Sequence, residues 1–274
     1  MDNGLKIPNE ARMRNLSVWT IGILFCLSLS GCVENQPPKK VLNEGYTALE
    51  QQQYDEAIGK ADEFLSQSPA GPGSAEALYL RGRGFEQKVA RSPMDAQVNL
   101  QNARTSYIQA LEQKPSAKLE AYIRTSLANV AYFQDDYKTA LEQWSAAYGD
   151  KQDADVQAWT LYRMGICRQR LGQFAQADQV FAAVQERYPN TVPAQRAREH
   201  SGARSFQVQL ATFASPSGAD QAMAQLKREG VAATRIIDSK GRSVIRVGPV
   251  ATYPQAQALK ARFASRYPDA MILP

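Results

Sequence analysis

One histidine and three cysteines are all that the 274 residues offer for metal, disulfide or imidazole chemistry, and two of the cysteines, Cys26 and Cys32, sit close to the N-terminus. That leaves Cys167 and His200 for the rest of the chain. No disulfide framework and no zinc-ligand spacing can be written from such a set. A Cys167/His200 nucleophile pair is the remaining arrangement of this kind, but a single cysteine within an apolar segment reads as inert packing. Converging carboxylates are missing too. Asp135 and Asp136 are adjacent in what reads as a turn, whereas glycoside hydrolysis needs two acids facing each other across a cleft. The chain therefore reads as a non-enzyme without a cofactor or metal. Long apolar runs are also scarce: the longest, Leu16 to Leu29, has 14 residues, short of the roughly 20 that span a bilayer. With 44% hydrophobic and 22% charged residues, a mainly disordered or membrane-embedded body is excluded. The length predicts two folded units and a targeting segment.

The formal charge of +5 is unevenly placed. From Ala203 onward ten cations (Arg204, Lys227, Arg228, Arg235, Lys240, Arg242, Arg246, Lys260, Arg262 and Arg266) face four acids (Asp220, Glu229, Asp238 and Asp269), so this part is +6 and the remainder nearly neutral. It has no basic helix and no basic strand studded with aromatics, so nucleic acid is not the expected partner.

Arg12 and Arg14 precede the apolar run, and small residues follow it, the order of a secretory signal. The segment Leu29-Ser30-Gly31-Cys32 then resembles the bacterial lipobox. The resemblance implies a signal peptide over 1–31, cleavage before Cys32 and a diacylglycerol thioether on its sulfur. Residues 32–40, polar and proline-containing, read as a tether. Val33 rather than Asp after the cysteine resembles the sorting pattern of outer-membrane lipoproteins. The expected location is the cell envelope, lipid-anchored, facing the periplasm and at the outer membrane. The stretch before Met13 carries Asp2 and Glu10, unusual for a signal, so a start at Met13 is an open alternative.

Over 41–190 apolar and small residues recur with helical spacing and a fixed period. Gly45, Gly82, Ala128 and Gly165 are 37, 46 and 37 residues apart; Ala57, Ala103, Ala140 and Ala177 are 46, 37 and 37 apart. Nine extra residues thus fall inside the second unit, where Lys88 to Leu100 lengthens the hairpin or adds a loop. Pro69, Pro115 and Pro189 close three units. In the fourth, Leu161, Gly165, Gly172, Phe174, Ala177, Phe181 and Pro189 resemble the tetratricopeptide repeat. Small residues let two helices approach closely while an aromatic fills the groove, so these positions are core. The resemblance implies an adaptor surface for an unidentified protein partner.

Beyond 191–203, a linker or helical tail, the period changes from 3.6 to 2. Phe206, Val208 and Leu210 alternate with Gln207 and Gln209, as in a half-buried strand. Helix Gly218 to Arg228, a hairpin of Thr234 to Asp238 and Ser243 to Val247 around Ser239-Lys240-Gly241-Arg242, helix Pro254 to Tyr267 and strand Ala270 to Leu273 complete a β-α-β-β-α-β order. The expected fold class is therefore multi-domain, an all-α repeat array followed by a small α+β, ferredoxin-like module at 204–274.

Val208 to Phe213 (VQLATF) and Arg246 to Val250 (RVGPV), with the alanine-rich helices, resemble the SPOR domain. The resemblance implies binding to peptidoglycan glycan strands stripped of stem peptides. Ala211 stands where the family usually has Gly, and Ser243-Val244 where it has an aromatic and an arginine. Alternation brings Gln207, Gln209 and Arg246 to the face away from the helices, and amides and guanidinium suit sugar hydroxyls and N-acetyl groups. Thr212 and Met271 join these candidates because they match family positions. The function implied is a lipid-anchored envelope scaffold that binds glycan, recruits a partner and acts in division or wall remodelling. The alternative is an outer-membrane assembly or transport accessory in which the repeats dominate.

Overall fold

The computed structural model describes residues 37–149 and 153–274. The lipobox residues Leu29, Ser30 and Gly31, and Cys32 itself, lie outside them. The chain divides into two compact units, one ending at Asp135 and the other running from Asp136 to Pro274.

The first unit holds α1 (Pro37–Glu50), α2 (Tyr54–Gln67), α3 (Pro72–Gln87), α4 (Pro93–Glu112) and α5 (Ala117–Phe133). Pro37 to Lys40, the last residues of the expected tether, form the first turn of α1; proline is well placed there, where its missing N–H costs nothing. Ser92 and Ser116 start α4 and α5 by accepting the N–H groups of Asp95 and Leu119. The inserted residues are mostly helix: α4 has 20 residues where α2 has 14. Leu42, Ala48, Ala57, Ala61, Phe64, Ala77 and Leu80 form one core cluster, and Leu78, Tyr79, Ala103, Tyr107, Ala110, Ile123, Leu127 and Val130 a second. A Cβ on Gly82 would overlap the Tyr107 ring, so the glycine sets how closely α3 meets α4.

The second unit begins with α6 (Tyr137–Ala147), α7 (Ala154–Arg170), α8 (Phe174–Arg187) and α9 (Val192–His200). Asp136 caps α6 through the Thr139 N–H. The segment 191–203 is a helical tail rather than a linker: Thr191 caps α9, and Ala194 and Ala197 are fully buried. Then come β1 (Phe206–Phe213), α10 (Pro216–Arg228), β2 (Ala233–Ile237), β3 (Ser243–Val250), α11 (Tyr253–Phe263) and β4 (Met271–Leu273). The sheet order is β2-β3-β1-β4 with every pairing antiparallel.

Element ends differ from expectation in small ways with local causes. Helix α10 starts two residues early because Ser215 caps it with Pro216 in its first turn. Helix α11 stops at Phe263, and the chain goes on in turns in which the Arg266 and Tyr267 N–H groups donate to the Phe263 carbonyl oxygen. Asp238 leaves β2 to accept the N–H groups of Lys240 and Arg242.

One core cluster joins Phe206, Val208, Leu210, Ile245 and Val247 of the sheet to Ala219 and Leu226 of α10 and to Ala256 and Phe263 of α11. Both helices therefore cover the same face of the sheet.

Candidate functional site: the open face of the sheet

The face opposite α10 and α11 is built by cross-strand pairing. In the sheet Gln209 lies between Arg246 on β3 and Met271 on β4, and Arg246 in turn pairs with Thr234 on β2. Residues directly opposite each other share a face, so Thr234, Arg246, Gln209 and Met271 form one row across all four strands. Gln207, opposite Leu273, lies one step along it. The complementary face takes Val208, Leu210, Ile245 and Val247, none more than 2% exposed.

Simple alternation would send Thr212 to the buried side, three residues after Gln209. A bulge between Gln209 and Ala211 inserts Leu210 as an extra residue and changes the phase. Thr212 then pairs with Val244, and its hydroxyl accepts from Gln209 Nε2 at 3.4 Å. The structure thus brings Gln207, Gln209, Thr212, Arg246 and Met271 to one face. It adds Thr234, Ile236 and Val244, which the sequence reading missed. Their signal was the hairpin register, in which Ile236 pairs with Val244. Met271 and Ile236 are 48% and 41% exposed, so the face offers apolar as well as polar surface.

A second irregularity lies where β3 leaves the core. Gly248 has φ 109°, the Gly248–Pro249 peptide is cis, and a Cβ on Gly248 would come within 3.2 Å of the Phe206 carbonyl oxygen. Glycine is needed there on both counts.

Arg246 carries the strongest polarity on the face. Its Nε is shielded from solvent and has no hydrogen-bond partner, whereas Arg235, pointing to the helix side, is held by Asp220 at 2.7 Å and Ser243 at 2.9 Å. Asp238 is engaged by Arg242 and by turn N–H groups, which hold its carboxyl below the usual range. A guanidinium has donors only and no acceptor.

Burial governs both Cys167 and His200. Cys167 is fully buried, and burial pushes its thiol up to about 12, against the pull of Arg170 and Arg163. Burial holds His200 down to about 4, with Arg170 and Arg196 adding to it, and its Nδ1 lies 2.9 Å from Gln169 Oε1. Among the described residues no cluster of three His, Cys, Asp or Glu could hold a metal, and no helix is long and apolar enough to cross a membrane.

Comparison with known proteins gives these sites a context. Residues 202–274 match the model of the SPOR domain, and residues 159–191 that of a tetratricopeptide repeat. SPOR domains bind peptidoglycan and are found in the cell envelope, and tetratricopeptide repeats mediate protein interactions. Neither is a catalytic module. No curated protein matches the chain. Among solved structures, YrrB, described as a tetratricopeptide repeat protein with an unusual peptide-binding site, is 18% identical, with 59% of this chain and 73% of that one covered at a TM-score of 0.47. MamA is 16% identical over 70% and 92% at a TM-score of 0.46. A thermophilic repeat protein of Thermus thermophilus is 12% identical over 61% and 82% at 0.44.

Proposed function

We propose that this chain is a lipid-anchored scaffold of the bacterial envelope that holds peptidoglycan glycan strands on its C-terminal sheet and recruits a protein partner through its repeats. The SPOR module and the repeats together support a wall-binding scaffold. The observation that carries the glycan assignment is the row Thr234, Arg246, Gln209 and Met271 across the open face. A glycan strand offers hydroxyl, ether and acetamido oxygens to the donors, and apolar ring faces to Met271 and Ile236. Gln209 and Thr212 supply donor and acceptor at once. Cys32 carries the lipid, on the strength of the lipobox resemblance, and the site of action is the division septum or another zone of wall remodelling.

Two measurements test this reading. The purified chain should pellet with sacculi whose stem peptides have been removed by amidase, and a variant ending at Ala203 should not. A fluorescent fusion should form a midcell band in dividing cells. Absence of pelleting overturns the glycan assignment, and an even outline in cells overturns the septal one. Clearing of a peptidoglycan suspension by the protein would contradict its reading as a binder.

A further inference from the structure

The second unit contains a joint between the last repeat and the wall-binding module, and it is built from one face of α7. Trp159, Tyr162, Gln169 and Arg170 recur at helical spacing along that face. Each is engaged by a later part of the chain. The Arg196 guanidinium of α9 lies 5.4 Å from the Trp159 ring centre. His200 packs edge-on against Tyr162 at 5.8 Å and meets the Gln169 amide twice, through Nδ1 and through its carbonyl oxygen, which accepts from Nε2 at 3.0 Å. Arg170 is held between two rings, 5.0 Å from Tyr137 and 4.8 Å from Tyr253 at the start of α11, and donates to the Tyr137 hydroxyl at 3.1 Å.

The contact continues into the module's core. Tyr253 meets Tyr137 edge-on at 5.5 Å and Phe206 at 5.5 Å, and Phe174 of α8 lies 5.6 Å from Phe206. Phe174 packs directly on the module's core cluster. The chain between the two is pinned as well: Asp178 on α8 accepts the Gly202 N–H at 2.8 Å and pairs with Arg204 at 2.8 Å.

We infer that the fourth repeat is a socket for the wall-binding module and that Arg170 is the residue that positions it, so α7, α8, α9 and the sheet move as one body. Two consequences follow. The α7 face that carries Trp159, Tyr162, Gln169 and Arg170 is occupied by the chain itself and is not open to a protein partner. The seat of the module on the last repeat is set by the packing of Arg170, Tyr137, Tyr253, Phe174 and Phe206. The inference does not depend on glycan binding.

Hydrogen exchange on the full chain, followed by mass spectrometry without any ligand, tests it. In the parent the Gly202 amide should exchange slowly, at a rate near that of the α9 amides. Arg170→Ala should accelerate exchange at Gly202 by about tenfold or more, the scale of a desolvated cation–π contact, and leave the Val208 and Val247 amides protected. Tyr253→Phe keeps the ring and should behave as the parent, while Tyr253→Ala should follow Arg170→Ala. Free exchange at Gly202 in the parent, or an unchanged rate in Arg170→Ala, would overturn the socket. If Arg170→Ala also exposes the sheet amides, the tyrosine pair decides: equal rates in Tyr253→Phe and Tyr253→Ala would overturn it.

Discussion

At the scale of single residues, His200 is the most informative titratable group. Gln169, Tyr162 and Phe181 surround it, and the charges of Arg170 and Arg196 oppose its protonation. Its folded pKa of about 4 lies below the unfolded value near 6.5. Below about pH 6.5 the unfolded chain therefore takes up a proton that the folded chain refuses. Its contribution is present at neutral pH and is lost as pH falls toward 4, a loss on the order of 2 to 3 kcal/mol. Thermal melts at pH 7 and pH 4.5 should show a larger drop for the parent than for His200→Gln, which keeps a polar group beside Gln169. Equal drops would contradict the assignment. Cys167 gives a simpler expectation: with its thiol raised and buried, a thiol reagent should label it only on unfolding, and fast labelling of the native chain would contradict this.

The same scale shows what the sequence made legible at the site. Gln207, Gln209 and Arg246 could be assigned to the open face because alternation needs no knowledge of the partner strand. The placement of Thr212 needed the bulge at Leu210, and a bulge depends on which strand lies alongside. Thr234, Ile236 and Val244 escaped for the same reason, since only the register of β2 on β3 shows which side of the hairpin they occupy.

At the scale of elements, the repeat helices were legible from small residues and prolines, because close helix packing imposes a steric rule at fixed intervals. Gly165 illustrates it: a Cβ there would overlap the Phe181 ring, and Ala177 is fully buried. Gly165→Trp and Ala177→Trp should each destabilise the second unit by about 1 to 3 kcal/mol or more. Circular dichroism melts matching the parent would show the register to be wrong. The length of α4 was not legible, since the inserted segment opens with Ala90, Arg91 and Ser92 ahead of Pro93, a combination that reads equally as loop. The socket was hidden as well. Arg170, Tyr253 and Phe206 are far apart in sequence, and nothing in the periodicity of α7 distinguishes a face kept for a partner from one that the chain itself covers.

At the scale of the whole molecule, the proposed scaffold joins a lipid anchor, a repeat array and a glycan-binding sheet. The anchor is tested by mass spectrometry of the mature N-terminus: a fragment starting at Cys32 with acyl mass is expected, with Cys32→Ser accumulating as an unlipidated precursor, and an unacylated Cys32 in the parent would contradict it. In the proposed scaffold the two faces of the sheet have different work, one packing the core and the other meeting glycan. Gln209→Ala with Arg246→Ala removes donors from the open face and leaves Val208, Leu210 and Val247 in place. The expected loss is about 0.5 to 1.5 kcal/mol for the amide and about 1.5 to 3 kcal/mol for the guanidinium. The most direct measurement is sedimentation of this double variant, shown by its melt to be folded, with amidase-treated sacculi. Most of the bound fraction should be lost while the fold persists; a folded double variant that pellets as the parent does would contradict glycan binding on the open face.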